Sequence, residues 1–209
     1  MAKRLFDLLA SGLGLLLLSP LLLLMAVAIK LDTPGPVFFR QTRVGRHGGE
    51  FRIHKFRTMA HREDADEADV SAAAPQLTVG PDPRITRVGS LLRRTKLDEL
   101  AQLIDVLRGC MSLVGPRPEV PRYVALYPAD LRDKVLSVRP GITDIASLAF
   151  RDEAALLSRA TDPEREYIEV VLPAKLRLSA RYVDEASVGA DLRLIAATLR
   201  VLWTRKPAG

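Results

Sequence analysis

From Leu8 to Ile29 the chain carries no charged residue, so any fold it adopts must give that stretch an apolar environment. About 22 residues at 1.5 Å per residue make a helix of roughly 33 Å, long enough to cross the hydrocarbon of a bilayer. The basic lead of Lys3 and Arg4 gives the segment the look of a signal peptide. The run is nevertheless too long for a signal h-region, and no small-x-small cleavage site follows it before Lys30 and Asp32, so it is read as retained. Ser19-Pro20 stands in its middle. A proline inside a helix removes a hydrogen bond and crowds the carbonyl four residues earlier, which predicts a kink. Each limb is then about 11 residues, or ~17 Å, too short to cross alone. Basic residues lie at both ends, Lys3 and Arg4 before and Lys30 after, and give no positive-inside asymmetry. These features favour a segment that enters and returns to the same face. A span stays open on the residues alone, since spanning helices also tolerate proline.

The remainder reads like soluble protein, and 209 residues suit one catalytic unit rather than two domains. A net charge of +6, carried by scattered arginines, suits anionic lipid headgroups, phosphate esters or nucleic acid without choosing among them. The single cysteine, Cys110, excludes an internal disulfide and a multi-cysteine metal site, and fits a reducing compartment. Cys110 itself is read as a packing residue.

Two β-rich runs, Val37 to Gln41 and Phe51 to Phe56, flank the turn Gly45-Arg46-His47-Gly48-Gly49 and predict a hairpin. An acidic patch from Arg62 to Asp69 and an Ala/Pro/Gly-rich stretch from Ser71 to Pro83 predict a mobile surface loop. His47, His54 and His61 have no metal-site spacing and are read as surface or hairpin residues. A short helix is predicted over Ile85 to Leu92. Leu97, Leu100, Leu103, Ile104 and Leu107 predict an amphipathic helix ended by Gly109. Further helices are predicted at Glu119 to Tyr127, Pro163 to Tyr182 and Ala190 to Thr204. The last puts Leu192, Ile195, Leu199, Leu202 and Trp203 on one side, a stripe suited to a membrane interface or to a core. In Gly115-Pro116-Arg117-Pro118 prolines on both sides stiffen the backbone that presents Arg117.

Between Arg84 and Arg117 the chain concentrates Arg84, Arg87, Arg93, Arg94, Lys96 and Arg117 around one carboxylate pair, Asp98-Glu99. Thr95, three residues before Asp98, makes a capping box that would place both acids in a first helical turn. Capping alone explains acids there. Cations and helix N–H groups around two carboxylates also make a site for phosphate with a divalent metal, because Mg²⁺ takes one or two carboxylates together with phosphate oxygens and water. The cations would hold Asp98 ionised and available as a nucleophile. Neighbouring side chains on a helix diverge by about 100°, so Asp98 and Glu99 should have different roles.

Several strings then occur in order: Lys3-Arg4-x-x-Asp7, Ser19-Pro20, Gly35-Pro36-Val37-Phe38-Phe39-Arg40-Gln41-x-Arg43-x-Gly45, Lys55-Phe56-Arg57-Thr58-Met59, Leu97-Asp98-Glu99-Leu100, Met111-Ser112-Leu113-Val114-Gly115-Pro116-Arg117-Pro118 and Arg139-Pro140-Gly141-Ile142-Thr143. Over nearly the whole chain the series resembles the bacterial sugar transferases, the monotopic phosphoglycosyl transferases, in what looks like their minimal form. The resemblance implies an α+β fold: a mostly α-helical membrane-associated domain with a re-entrant membrane helix at 1–32, a small β-hairpin, and a cytosolic catalytic domain at 33–209 with interfacial amphipathic helices. It implies a UDP-sugar donor, a polyprenyl phosphate acceptor, Mg²⁺ held by Asp98, membrane lipids as partners, no nucleic acid, room for a homo-oligomer, and placement on the cytoplasmic face of the bacterial inner membrane. In the implied route Asp98 attacks the β-phosphate, UMP leaves, and lipid phosphate takes the sugar phosphate from Asp98. Glu99 assists metal binding or acceptor deprotonation, and Lys55, Arg57, Arg93 and Arg117 hold the substrate.

Ala101, Asp105 and Cys110 depart from the family pattern without removing a catalytic group, and Asp144 to Arg151 departs where many members have Gly-Trp-Ala-Gln-Val-Asn-Gly-Arg. That segment puts in doubt any sugar assigned by likeness. A membrane-anchored binding protein for anionic lipid or nucleic acid is the rival reading, and would need no carboxylate pair inside its basic cluster. A membrane-anchored phosphohydrolase would share the site and differ only in its acceptor, water.

Overall fold

A computed structural model describes residues 2–61 and 82–204. The predicted acidic patch, and the predicted loop up to residue 81, lie outside the described residues.

The apolar segment forms one helix, α1, over Ala2–Asp32, the one described helix long and apolar enough to cross a membrane. Sequence reasoning divides it into two limbs at Pro20, but helical conformation continues through that residue. Pro20 has no N–H to offer the carbonyl of Leu16, its partner four residues back. Ser19 Oγ donates to that carbonyl at 2.7 Å, so the bond the proline removes is replaced from the residue beside it. Along α1, Asp7 and Ser11 are buried near one end and Met25 and Ile29 near the other, while Leu16, Leu17, Ser19 and Pro20 between them are exposed.

The hairpin is as predicted, with β1 (Phe38–Val44) antiparallel to β2 (Glu50–Phe56) and Phe38 opposite Phe56. The next elements are α2 (Arg87–Thr95), a 3₁₀ turn (Leu97–Gln102) and α3 (Leu103–Leu107). The helix predicted from Ile85 starts later because Thr86 caps it, its Oγ1 accepting from Gly89 N at 2.9 Å. The helix predicted across Leu97 to Leu107 is divided into a tight 3₁₀ turn and one short α-helical turn. Gly109, at φ +87°, ends it as expected. The predicted capping box is absent: Thr95 Oγ1 donates back to Leu91 O at 2.8 Å, and Lys96, left-handed at φ 59°, separates α2 from the 3₁₀ turn.

β3 (Ser112–Val114) pairs in parallel with β4 (Gly141–Thr143). A Cβ on Gly141 would sit 2.0 Å from Gly115 N, so only glycine allows so close an approach. Around this pair lie α4 (Pro121–Val124), α5 (Ala129–Val135), α6 (Ile145–Ala149), α7 (Glu153–Leu157) and α8 (Pro163–Glu166). A π turn (Tyr167–Val171) then leads into α9 (Leu172–Glu185). Pro173 cannot donate to Glu169, and the turn before it widens accordingly. Tyr123, Val135, Leu157, Tyr167, Val171, Leu172 and Leu176 form the core of this half. A second core joins Met25 and Ile29 of α1 to Phe56, Leu92 and Ala101. The last helix, α10 (Val188–Thr204), buries Asp191 but exposes Leu192, Leu199, Leu202 and Trp203, so its apolar stripe does not face the core.

Candidate active site

Asp98 and Glu99 come two and three residues after Lys96, whose left-handed backbone turns the chain out of α2. The tight 3₁₀ turn then sends the two acids in different directions. Glu99 points to two cations. Lys55, from β2, donates to Glu99 Oε1 at 2.9 Å. Arg117, from the loop after β3, donates to Oε1 at 2.5 Å and to Oε2 at 3.2 Å, a two-pronged grip. Asp98 stays outside this clamp, its Oδ2 4.0 Å from Lys55 Nζ and its Oδ1 buried with no hydrogen-bond partner.

Electrostatics separates the pair further. Burial pushes the Asp98 carboxyl above the usual aspartate range, against the opposing pull of Lys55. Desolvation thus works against the cations that sequence reasoning gathered around it. Burial also disfavours a charged Glu99, but Arg117 and Lys55 together overcome it and hold that carboxyl well below its ordinary range. Burial lowers the pKa of Lys55 while Glu99 opposes the shift, and the Glu99 charge raises that of Arg117.

The loop bearing Arg117 is fastened on both sides. Arg43 Nη1 donates to Pro118 O at 3.0 Å, Val44 N to Glu119 O at 2.9 Å, and Gly141 N to Pro116 O at 2.9 Å. The stiffness read from its prolines is thus reinforced by bonds to β1 and β4. Among the predicted substrate-holding residues, Lys55 and Arg117 come together with Asp98 and Glu99. Arg93 is half-buried in the last turn of α2, where its charge helps Arg84 hold Asp82 down at about 2.

Arg57 is placed elsewhere. It is buried at the end of α1, where it donates to Thr33 O at 2.7 Å, to Ile29 O at 3.4 Å and to Pro34 O. Gly35 makes the room: a Cβ there would lie 2.2 Å from Arg57 Nη1. The carbonyls of a helix C-terminus, left without partners, attract a guanidinium, so Arg57 is engaged there rather than gathered with Asp98 and Glu99.

Sequence reasoning missed a buried polar pair behind the site. His54, read as a surface or hairpin residue, is 6% exposed. Arg40 Nη1 donates to its Nε2 at 2.7 Å, so Nδ1 carries the proton and donates to Asp105 Oδ1 at 2.6 Å. Asp105 Oδ2 also accepts the His54 backbone N–H at 2.8 Å. The available signal was strand alternation, which puts His54 on the same face as Phe56.

The sequence profile described as Bacterial sugar transferase matches residues 1–205. A UDP-glucose:undecaprenyl-phosphate glucose-1-phosphate transferase of Caulobacter vibrioides is 39% identical over 204 residues, covering 97% of this chain and 70% of that protein. The Exopolysaccharide production protein PSS of Rhizobium leguminosarum bv. phaseoli is 39% identical over 210 residues, covering 97% of this chain and 96% of its own length. A UDP-N-acetylgalactosamine-undecaprenyl-phosphate N-acetylgalactosaminephosphotransferase of Aeromonas hydrophila is 35% identical over 204 residues, covering 97% of this chain and 44% of its own. With the profile matched over almost its whole length, the chain belongs to the bacterial sugar transferase family and is a phosphoglycosyl transferase.

Proposed function

We propose that this enzyme transfers a sugar 1-phosphate from a UDP-sugar to polyprenyl phosphate at the cytoplasmic face of the inner membrane, the first membrane step in building a glycoconjugate. The observation that carries the proposal is the division of labour in the acid pair: Asp98 has a buried oxygen with no partner, beside a Glu99 already engaged by two cations. Asp98 Oδ1 forms a bond to the β-phosphorus of the donor, the bond to the bridging oxygen breaks, and UMP leaves with that oxygen. An oxygen of the lipid phosphate then bonds to the same phosphorus, and the Asp98 bond breaks. Lys55 and Arg117 bind the diphosphate oxygens, and Glu99 holds both cations in place.

Mg²⁺ fits the donor set. Among the described residues no group of three or more His, Cys, Asp or Glu gathers to hold a metal by itself. Asp98, with its unpartnered oxygen, would supply the protein ligand and the donor phosphates most of the rest. When bound, the ion neutralises phosphate charge and favours the ionised form of Asp98.

The same-face placement of α1 is supported by where its ends are held. Arg4 donates to Val106 O at 2.8 Å, and Asp32 Oδ2 accepts Val88 N at 3.0 Å, so both ends rest on one folded body. The exposed leucines between them, with the outward stripe of α10, suit hydrocarbon and the membrane interface. The relatives' names differ in the sugar, glucose for one and N-acetylgalactosamine for another, so a panel of donors is the appropriate test.

Purified protein mixed with each UDP-sugar and Mg²⁺, without lipid, should release about one UMP per site and gain the mass of a sugar phosphate on the peptide containing Asp98. Chelation of Mg²⁺ should stop the release. UMP appearing only when lipid phosphate is also present, with no adduct, would sink the covalent route. Continued turnover without lipid would favour hydrolysis. Cysteine labels at Ala2 and Lys30 should both resist a periplasmic reagent; labelling of one alone would mean a span.

A further inference from the structure

The two ends of the apolar helix are hydrogen-bonded to segments that lead to the two cations of the Glu99 clamp. At its start, Asp7 Oδ1 accepts Leu113 N at 3.1 Å and Ser112 Oγ at 3.1 Å, and Asp7 is 2% exposed. Leu113 stands between Ser112 and Val114, which pair with β4, so its N–H points away from that strand and would otherwise be an unpaired edge group. Lys3 Nζ donates to Val114 O at 3.1 Å and to the fully buried Asp191, and Tyr182 OH completes the knot, donating to Asp191 Oδ1 at 2.7 Å. Two side chains of a membrane helix thus take the place of a neighbouring strand along β3. Three residues beyond Val114 comes Arg117. At the other end of the helix Arg57 holds the carbonyls of Ile29, Thr33 and Pro34 from a position two residues beyond Lys55.

We propose that Lys3, Asp7 and Arg57 are positioning residues. By fastening β3 and the end of β2 to the two ends of α1, they set where Arg117 and Lys55 stand, and so how both cations grip Glu99 and the donor phosphates. The inference rests on the transferase reading for its effect on turnover, but the mechanical link is independent of it. Burial of Asp7, Ser112, Asp191 and Tyr182 makes the link stiff. A cation displaced by even about 1 Å can cost roughly 100-fold in rate, so small slackening here is felt at the site. Seating of the helix and readiness for chemistry become one event.

The test uses the full chain. Asp7→Leu removes the acceptor and should lower kcat/KM for UMP release about tenfold or more. Asp7→Asn keeps an Oδ1 able to accept both bonds and should recover most of that loss. In an Arg117→Lys background, where the two-pronged grip is already gone, Asp7→Leu should cost less than about threefold, since residues acting through one another are not additive. An equal loss in both backgrounds, or no recovery with Asn, overturns the proposal. Should Asp7→Leu fail to fold, Asp7→Ser replaces it. Hydrogen exchange without donor separates the two readings: Asp7→Leu should speed exchange across residues 112–118 and leave α9 unchanged, and unaltered exchange there overturns the link whatever happens to turnover. Wild-type protein releasing no UMP from any UDP-sugar would sink the functional reading, and the exchange result would still decide the link.

Discussion

The half of the molecule from Val120 to Tyr182 packs apolar and aromatic side chains around Tyr167 and Leu176, whose partners include Tyr123 with ring centres 4.9 Å apart. The half that lies against α1 has smaller apolar clusters, and most of the buried polar side chains, from Asp7 through His54, Asp98 and Asp105 to Ser112, belong to it. Apolar packing is non-directional and contributes roughly 1.5–3 kcal/mol for each large side chain buried, whereas a hydrogen-bonded ion pair fixes angles and distances but adds little net stability. The contrast teaches where each is used: packing makes the body, and polar bridges aim the charged groups of the candidate site. Substitutions should therefore divide by region into those that lose activity and those that lose stability.

The largest effect tests the polar half. On the proposed covalent route Asp98→Asn should lower turnover roughly 10³-fold or more. Its thermal midpoint should hold or rise, because burial already disfavours the charge it removes. A fall in midpoint alongside the lost activity would break the comparison.

Glu99→Gln is the place where the two kinds of effect should coincide. Removing one member of a buried ionic cluster leaves Lys55 and Arg117 without their shared anion, at a cost of about 3–5 kcal/mol, and turnover falls with it. The pH dependence carries the same sign. Because the folded Glu99 carboxyl is held below its ordinary range, its pairing stabilises the fold above that range and is lost as pH falls toward the folded value. Denaturation curves of wild type and Glu99→Gln should therefore converge in acid; a constant gap would contradict the assignment.

In the other half, Leu176→Ala should cost about 2–5 kcal/mol in unfolding experiments, while the folded fraction keeps its kcat/KM. Loss of kcat/KM in fully folded Leu176→Ala protein would show that the two halves are coupled after all. At the small end, Asp184→Asn removes an exposed bridge to Lys134 and should change stability by less than about 1 kcal/mol, with no effect on turnover.

Much of this division was legible in the residues. The hairpin followed from alternation and turn glycines, and the acid pair with Lys55 and Arg117 from a cluster of cations and a family resemblance. What the sequence left hidden depended on long-range geometry. Nothing local announces that Lys96 turns left-handed, and a continuous stripe of Leu97, Leu100, Leu103 and Ile104 reads as one helix whether or not its first turn tightens. Arg57 shares a motif with Lys55, and alternation would put the two on one face, but β2 ends at Phe56 and the partners of Arg57 are backbone carbonyls with no side-chain signature. The pairing of β3 with β4 joins segments nearly thirty residues apart through glycines that read equally well as loop.

The hydroxyl of Ser19, bonded to the Leu16 carbonyl, bears on the membrane itself. A carbonyl left bare in hydrocarbon costs several kcal/mol, and it draws water or a lipid headgroup inward to relieve that cost. With Ser19 in place the helix carries its proline without exposing that carbonyl, which an apolar surrounding would penalise. Ser19→Ala would leave that carbonyl bare, so the serine decides whether the exposed middle of the helix presents a polar defect or a closed backbone.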